Sequence, residues 1–395
     1  MKVARLIYVE VNDGKTNQSN KFYNMSESGS NILVEYGRVG CDNPQKKTYS
    51  IYDWDKLHNS KIKKGYKDVT HLRAENTIIR SIKNTSKEVE QFFNLIQSYS
   101  SNSVKINYIL SSKEVTPQMI IEAQRLIDNL MNIPRNDLSK INNALLELYK
   151  IIPRKMRDVR NHLADTNWKK EQIDKLIASE QDTLDSMAGQ VSAQNVDPDG
   201  SDDLLEALGL NICYVDDTKI IDMAKKMMGD KYRHFNRMFE VLNKKTEDKY
   251  NLFKERVSNE NLLWHGSRNQ NWFNILQTGL LIRPSGAVLT GAMFGNSVYF
   301  ANQCRKALNY TSLQGSYWAG GNDRTAFMAL FNTKLGKQKH IHKHDYTCNS
   351  LNWEKVNKEG CDSVYAHGGY DLINDEFCVY RTDQTTIKYV VELKA

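Results

Sequence analysis

Apolar and polar residues alternate along "ARLIYVEV" near the amino end, the period of a strand with one covered face. "KFYNMSE" and "NILVEYGRVG" follow with similar character, and Gly14 and Gly29 fall in the connections, so an antiparallel sheet is expected. "YDWDKLHNSKIKKGYKDVT" breaks the alternation and predicts a short helix capped by Asp53 and ending at Lys64 and Gly65. From about residue 86 the apolar period lengthens to three or four. "EVTPQMIIEAQRLIDNLMN" offers Thr116 as N-cap, Pro117 at the first helical position, and Ile120, Ala123, Ile127 and Leu130 on one face. "NDLSKINNALLELYKIIP" repeats the pattern with Leu138, Ile141, Leu145 and Leu148, and Pro153 closes it. "TNWKKEQIDKLIASEQDTLDSMA" predicts a further helix with Ile173, Leu176, Ile177 and Leu184 inward. "GQVSAQNVDPDGSDD" then loses periodicity and predicts a linker ending near Asp203.

The last part mixes both periods. "KIIDMAKKMMGDKYRHFNRMFEVLNKKTEDKYNLF" begins with helical spacing, whereas "NLLWH", "SVYFA", "AFMALFNTKL", "EFCVY" and "IKYVVELK" have the length and composition of strands. The expected division is a β-rich module over 1–85, a helical bundle over 86–186, a linker over 187–203 and an α+β domain over 204–395. A multidomain α+β protein is the fold class.

Composition narrows the function classes. A chain of 395 residues with 40% hydrophobic and 26% charged residues is long enough for two or three packed cores and is not of disordered composition. Lys and Arg number 54 against 47 Asp and Glu, a net +7 that permits a polyanionic partner without requiring one. Glu10 interrupts the first apolar run before a secretory core forms, and no later stretch has the length of a membrane span, so an intracellular chain is expected. The six cysteines are far apart with no C-x-x-C pair, which predicts reduced structural thiols and no zinc ribbon.

Familiar nucleotide motifs are missing. No G-x-G-x-x-G occurs, and "GKT" at Gly14 to Thr16 has Val9 where a P-loop needs glycine. His340, His342 and His344 in "KHIHKHDYTC" would share one face of a strand, but no carboxylate or cysteine partner has fitting spacing. A solvated basic loop is the favoured reading there, and no metal is expected.

Three segments stand out in order: "LLWHGSR", "GAMFGNSVYFANQCRKALNY" and "INDEFCVY". Together they resemble the catalytic domain of the poly(ADP-ribose) polymerases, a diphtheria-toxin-like ADP-ribosyltransferase fold with a histidine, tyrosine and glutamate triad. The resemblance places His265 first, Tyr299 second and Glu376 third. It implies NAD+ as substrate, with His265 and Ser267 on the adenosine-side ribose and the Gly266 backbone on the nicotinamide amide. It also implies Tyr299 and Tyr310 on either face of the nicotinamide, with Lys306 near the catalytic carboxylate. Such residue types suit the chemistry. Cleaving nicotinamide from ribose develops positive charge on the sugar, and a carboxylate can hold the sugar hydroxyl and polarise a nucleophile. Glu376 receives that role, and its presence favours polymer formation over single-unit transfer. The loop "RPSGAVLTGAMFG" takes the position of the donor loop. Where the family carries a serine that bonds the nicotinamide amide, this chain has Ala307, a loss worth about 1 kcal/mol.

The amino-terminal module resembles a WGR domain, with Tyr36, Gly37 and Arg38 in "EYGRVG" where that domain has tryptophan, glycine and arginine. The resemblance implies binding to DNA ends or nicks, Arg38 as relay to a helical regulatory domain, and phosphate contacts from Lys61, Lys63, Lys64 and Lys67. It implies a DNA-dependent polymerase of the DNA damage response that modifies proteins including itself, nuclear in a eukaryotic cell. A mono-ADP-ribosyltransferase with a protein or nucleic-acid target, and an inactive DNA-end-binding scaffold, are the alternatives.

Overall fold

The strand-period segments at the amino end pair as an antiparallel sheet in a computed structural model that describes the chain except residues 1, 12–17, 42, 71–79, 84, 197–200, 254–258 and 283–292. The chain forms two units, one from Met1–Thr77 with Ser103–Val191, the other from Ile78–Asn102 with Ser192–Ala395. That partition differs from the one read off the sequence. Residues 78–102 belong with the carboxyl-terminal part, whereas the remaining helices belong with the first sheet.

In the first unit, strands β1 (Val3–Val11), β2 (Gln18–Ser28), β3 (Asn31–Arg38), β4 (Gln45–Ser50) and β5 (Lys67–Asp68) lie in the order β4-β3-β2-β1-β5. Alternate residues Ala4, Leu6, Tyr23, Met25, Ile32 and Val34 cover one face, and Trp54 of helix α1 (Trp54–Lys63) seals it. Edge strand β4 is exposed and carries Lys46 and Lys47, charges that discourage pairing with another chain. Asp53 precedes α1 as expected but its side chain makes no cap bond, because a 3-10 turn over Ile51–Asp53 leads into the helix.

Helix α2 (Lys87–Asn107) passes from the second unit into the first, followed by α3 (Pro117–Asn132), α4 (Leu138–Ile151) and α5 (Lys170–Gln194). Thr116 caps α3 by accepting from the Met119 N–H, with Pro117 at the first position, and Asp137 caps α4. Ala123, Ile127, Leu130, Ile141, Leu145 and Leu148 are buried as their spacing requires. Helix α5 continues into the expected linker, because Met187 and Val191 keep the apolar spacing up to Gln194. These helices also bury an ion pair, Arg154 Nη1 to Glu180 Oε2 at 3.0 Å, with Tyr149 Oη 3.2 Å from Glu180 Oε1. A cavity of about 240 Å³ in this unit is lined by residues of β1 and β2 together with Ile109, Met119 and Ile151.

In the second unit, α6 (Leu204–Leu208) leads into strand β6 (Leu210–Tyr214), α7 (Thr218–Met228), β7 (Phe235–Asn243), α8 (Lys244–Leu252), β8 (Glu260–Gly266) and α9 (Trp272–Thr278). After these come β9 (Val298–Phe300), α10 (Cys304–Leu308), β10 (Thr325–Lys334), β11 (Gln338–Ile341), α11 (Trp353–Lys358), β12 (Ser363–Ala366), β13 (Glu376–Val379) and β14 (Thr385–Lys394). They build a five-stranded sheet β6-β7-β14-β10-β8 and a four-stranded sheet β11-β12-β13-β9. Both faces of the larger sheet are covered, so β10 is buried along nearly its whole length and β14 buries even Thr385, Thr386 and Glu392. Phe92, Phe93 and Ile96 of α2 are fully buried in one of those layers, with the Phe92 ring 4.0 Å from Phe239.

Candidate active site

The two sheets of the second unit meet at a seam beside β8 and β9. Trp264 and Ala301 exchange backbone bonds, Trp264 N to Ala301 O at 2.8 Å and Ala301 N to Trp264 O at 2.9 Å. This bridge sets His265 beside Tyr299, and the His265 Nδ1 lies 3.0 Å from the Tyr299 carbonyl. A carbonyl can only accept, so Nδ1 carries the proton. Burial holds the imidazole pKa below its usual value, against the opposing Tyr299 bond. The neutral ring therefore leaves Nε2 as an acceptor, and Phe300 and Phe331 fix its plane edge-on.

Gly266 ends β8 where α10 comes close. A Cβ built there would lie 1.9 Å from the Ala307 carbonyl oxygen. Glycine at this position is thus demanded by the chain's own backbone, a stronger reason than ligand approach. Ser267 follows, its Oγ 3.1 Å from Asn271 Nδ2. Ala307 is buried, and its methyl adds no hydroxyl to the site.

Tyr299 projects from β9 with its hydroxyl donating to the Gly295 carbonyl and accepting from the Phe294 N–H, each at 3.0 Å. Those bonds fix the ring; burial raises its pKa well beyond the usual phenol value. Tyr310, just past α10, is pushed up to about 12 by burial and then by the Glu376 charge. Both phenols therefore stay neutral and feel the same carboxylate.

Glu376 opens β13, opposite Ala366 of β12, with only 6% of its side chain exposed. Lys306 of α10 touches its Oε1, whereas its Oε2 is buried without a hydrogen-bond partner. Burial pushes the Glu376 pKa above the usual carboxylate range, and the Lys306 charge pulls it back only in part. A buried carboxylate oxygen without a donor is costly, and this one keeps an accepting position open.

The neighbour Asp375 was not singled out in the sequence. Its carboxylate accepts from Gly368 N at 2.9 Å, Tyr365 Oη at 2.9 Å and Asn302 Nδ2 at 3.2 Å, while its carbonyl accepts from Lys306 Nζ at 3.3 Å. Burial raises its pKa, but those donors outweigh it and the group sits below the usual range. Asp375 ties the approach to β13 to β12, the segment after β9 and α10.

The histidine-rich segment begins as strand β11 (Gln338–Ile341) and continues as an exposed turn, with His340 and His342 both open to solvent, so the expected loop starts later than the sequence suggested. His340 lies in β11 with Nδ1 2.8 Å from His367 Nε2, and His342 stacks on His367 at 4.0 Å. His367 stacks on Tyr365 at 4.0 Å and Tyr365 on Phe377 at 4.6 Å, so the strand carries an aromatic stack towards the core. His344 Nε2 instead faces the Met293 carbonyl at 3.1 Å. Among the described residues no group of three or more His, Cys, Asp or Glu could hold a metal ion. The six thiols are unpaired by disulfides. Most of the expected donor loop, 283–292, lies outside the described residues.

In the first unit the basic residues divide. Arg38 Nη2 donates to the Arg157 carbonyl at 2.5 Å, joining β3 to the segment after α4. Lys61 lies 4.0 Å over the Tyr23 ring, and burial, then Lys64 and Lys21, lowers its pKa. Lys67 Nζ faces Glu147 at 3.8 Å. Lys63 and Lys64 are exposed, and exposed Lys21 pairs with Arg38 across β2 and β3 and, like Lys64, lies near enough to Lys61 to lower its pKa.

The histidine at the seam, the two buried phenols and the half-paired glutamate all lie in the mixed two-sheet second unit, the part of the chain that matches a class of ADP-ribosylating transferases. Comparison with known proteins agrees. The family profile described as the poly(ADP-ribose) polymerase catalytic domain matches residues 218–395. A putative poly [ADP-ribose] polymerase-like protein, 100L, of Invertebrate iridescent virus 6 is 32% identical over 180 residues, 44% of this chain and 91% of that protein. The uncharacterized protein 101L of the same virus is 32% identical over 180 residues, covering 74% of its length. Poly [ADP-ribose] polymerase 2 of Arabidopsis thaliana is 26% identical over 300 residues, 66% of this chain but only 45% of that protein. The chain belongs to the poly(ADP-ribose) polymerase family and is an NAD+ ADP-ribosyltransferase.

Proposed function

We propose that this chain transfers ADP-ribose from NAD+ to protein acceptors, itself included, builds polymers, and does so in response to DNA ends or nicks. The observation that carries the reading is the buried, donor-free Oε2 of Glu376 beside Lys306, Tyr299 and Tyr310.

In this reading Glu376 Oε2 accepts from a hydroxyl of the nicotinamide-side ribose, and its charge favours the positive sugar of the transition state. The glycosidic bond breaks and nicotinamide leaves with the electron pair. An acceptor oxygen then bonds to the anomeric carbon, and its proton passes to the carboxylate. Lys306 favours the ionised carboxylate against the effect of burial. His265 Nε2, with Ser267, accepts from the adenosine-side ribose, and the two phenols flank the nicotinamide ring. In the first unit, Arg38, Lys63, Lys64 and Lys21 face DNA, and the Arg38 bond to the Arg157 carbonyl carries the signal into the helices.

Incubation with labelled NAD+, with and without nicked DNA, tests the whole reading. Ladders that require DNA support it; single-unit labelling removes the polymer, DNA-independent ladders remove the dependence, and no labelling removes the activity.

A further inference from the structure

The second unit displays exposed aromatic rings and basic side chains on segments that adjoin α10, and neither the triad nor the core uses them. Residues 311–323 form a loop closed by backbone bonds: Gln314 N to Asp323 O at 2.9 Å, Asp323 N to Ser312 O at 2.9 Å and Gly315 N to Gly321 O at 3.1 Å. The loop is tight, since a Cβ at Gly321 would lie 2.2 Å from the Leu313 carbonyl oxygen. It is seated on the residue after α10 by the bond from Ala319 N to Asn309 O at 3.0 Å. Its tip holds Tyr317 at 75% and Trp318 at 50% exposure, their rings 4.7 Å apart and nearly perpendicular. The 3-10 turn Gly229–His234 also packs against α10 and exposes Tyr232 at 59% beside Arg233. Arg305 is exposed on α10 itself, and Lys226 is exposed near the end of α7.

We propose that this surface binds single-stranded nucleic acid. Ring faces held in water by a rigid loop stack on bases, and guanidinium and ammonium groups beside them neutralise phosphates. The acidic neighbour Asp230 is already engaged by Lys231 at 2.7 Å, so the turn keeps its positive balance. Only an unpaired strand fits both features, because a duplex hides its base faces and would use the cations alone. Asn309, whose carbonyl holds the loop, directly precedes Tyr310 in the chain. Binding needs no turnover, and its test stands apart from that of the reaction.

The test is fluorescence anisotropy of a labelled oligothymidylate of about 12 nucleotides with the full chain, against a duplex of the same length. Tyr317→Ala with Trp318→Ala is expected to weaken the single strand at least tenfold and the duplex less than twofold. Arg233→Ala is expected to reduce the salt dependence of single-strand binding. Tyr317→Phe with Trp318→Phe is expected to restore binding to within about threefold, since the faces remain. Lys63→Ala with Lys64→Ala, in the first unit, is expected to spare the single strand. The proposal is overturned if the alanine pair binds the single strand within twofold of the parent, if it loses both nucleic acids equally, or if the phenylalanine pair fails as badly as the alanine pair.

Discussion

At the scale of single residues the site is a balance of burial against one lysine. Burial raises Glu376 and Lys306 lowers it, so Lys306→Met is expected to move the acid limb of the kcat/KM profile to higher pH. A limb that stayed in place would separate Lys306 from the carboxylate. His265 works in the opposite sense: its folded pKa is depressed by burial, so the unfolded chain binds the proton more readily. Stability is then complete above the unfolded value of about 6.5 and is lost as pH falls from there towards the folded pKa. Melting curves of the parent and a His265→Gln variant across that window read the difference. Gly266→Ala sets a methyl against the Ala307 carbonyl and is expected to cost about 1–3 kcal/mol in stability and to weaken NAD+ binding. Ala307→Ser is expected to tighten nicotinamide by about 1 kcal/mol, roughly fivefold, in a binding titration. His265, Tyr299 and Glu376 were legible because three short segments stood in order. Asp375 was not, because its value lies in donors from Gly368, Tyr365 and Asn302, which no spacing announces.

At the scale of elements, local rules served well where burial enforces one period. Thr116 with Pro117, the inward faces of α3 and α4, and the five named strands of the second unit all form. Boundaries were harder, because α5 continues past the expected linker start and α2 serves two cores. Helical periodicity reveals which face is apolar but not which sheet will cover it. Phe92 and Phe93 therefore read as part of a bundle while their rings meet Phe239, Phe327 and Phe273. A deletion of residues 86–186 would strip those rings from the catalytic core, so loss of activity in it is expected and says nothing about regulation. Phe92→Ala alone is expected to cost about 3–5 kcal/mol, read by denaturant melting followed through the second unit. In the first unit, Glu180→Ala would leave Arg154 buried without its partner, a cost of about 3–5 kcal/mol.

At the scale of the whole molecule, the transferase identity rests on the second unit and the proposed DNA response on the first. Among the described residues no helix is long and apolar enough to cross a membrane. The Arg38 bond to the Arg157 carbonyl offers one discrete link to break. Arg38→Ala is expected to abolish stimulation by nicked DNA while DNA-independent labelling persists; equal loss of both would place Arg38 in folding instead. The most direct test of the central claim compares the parent with Glu376→Gln for transfer of labelled NAD+ alongside NAD+ affinity. Transfer is expected to fall by about 10²–10³-fold with affinity changed only a few fold. Undiminished transfer in Glu376→Gln would contradict it.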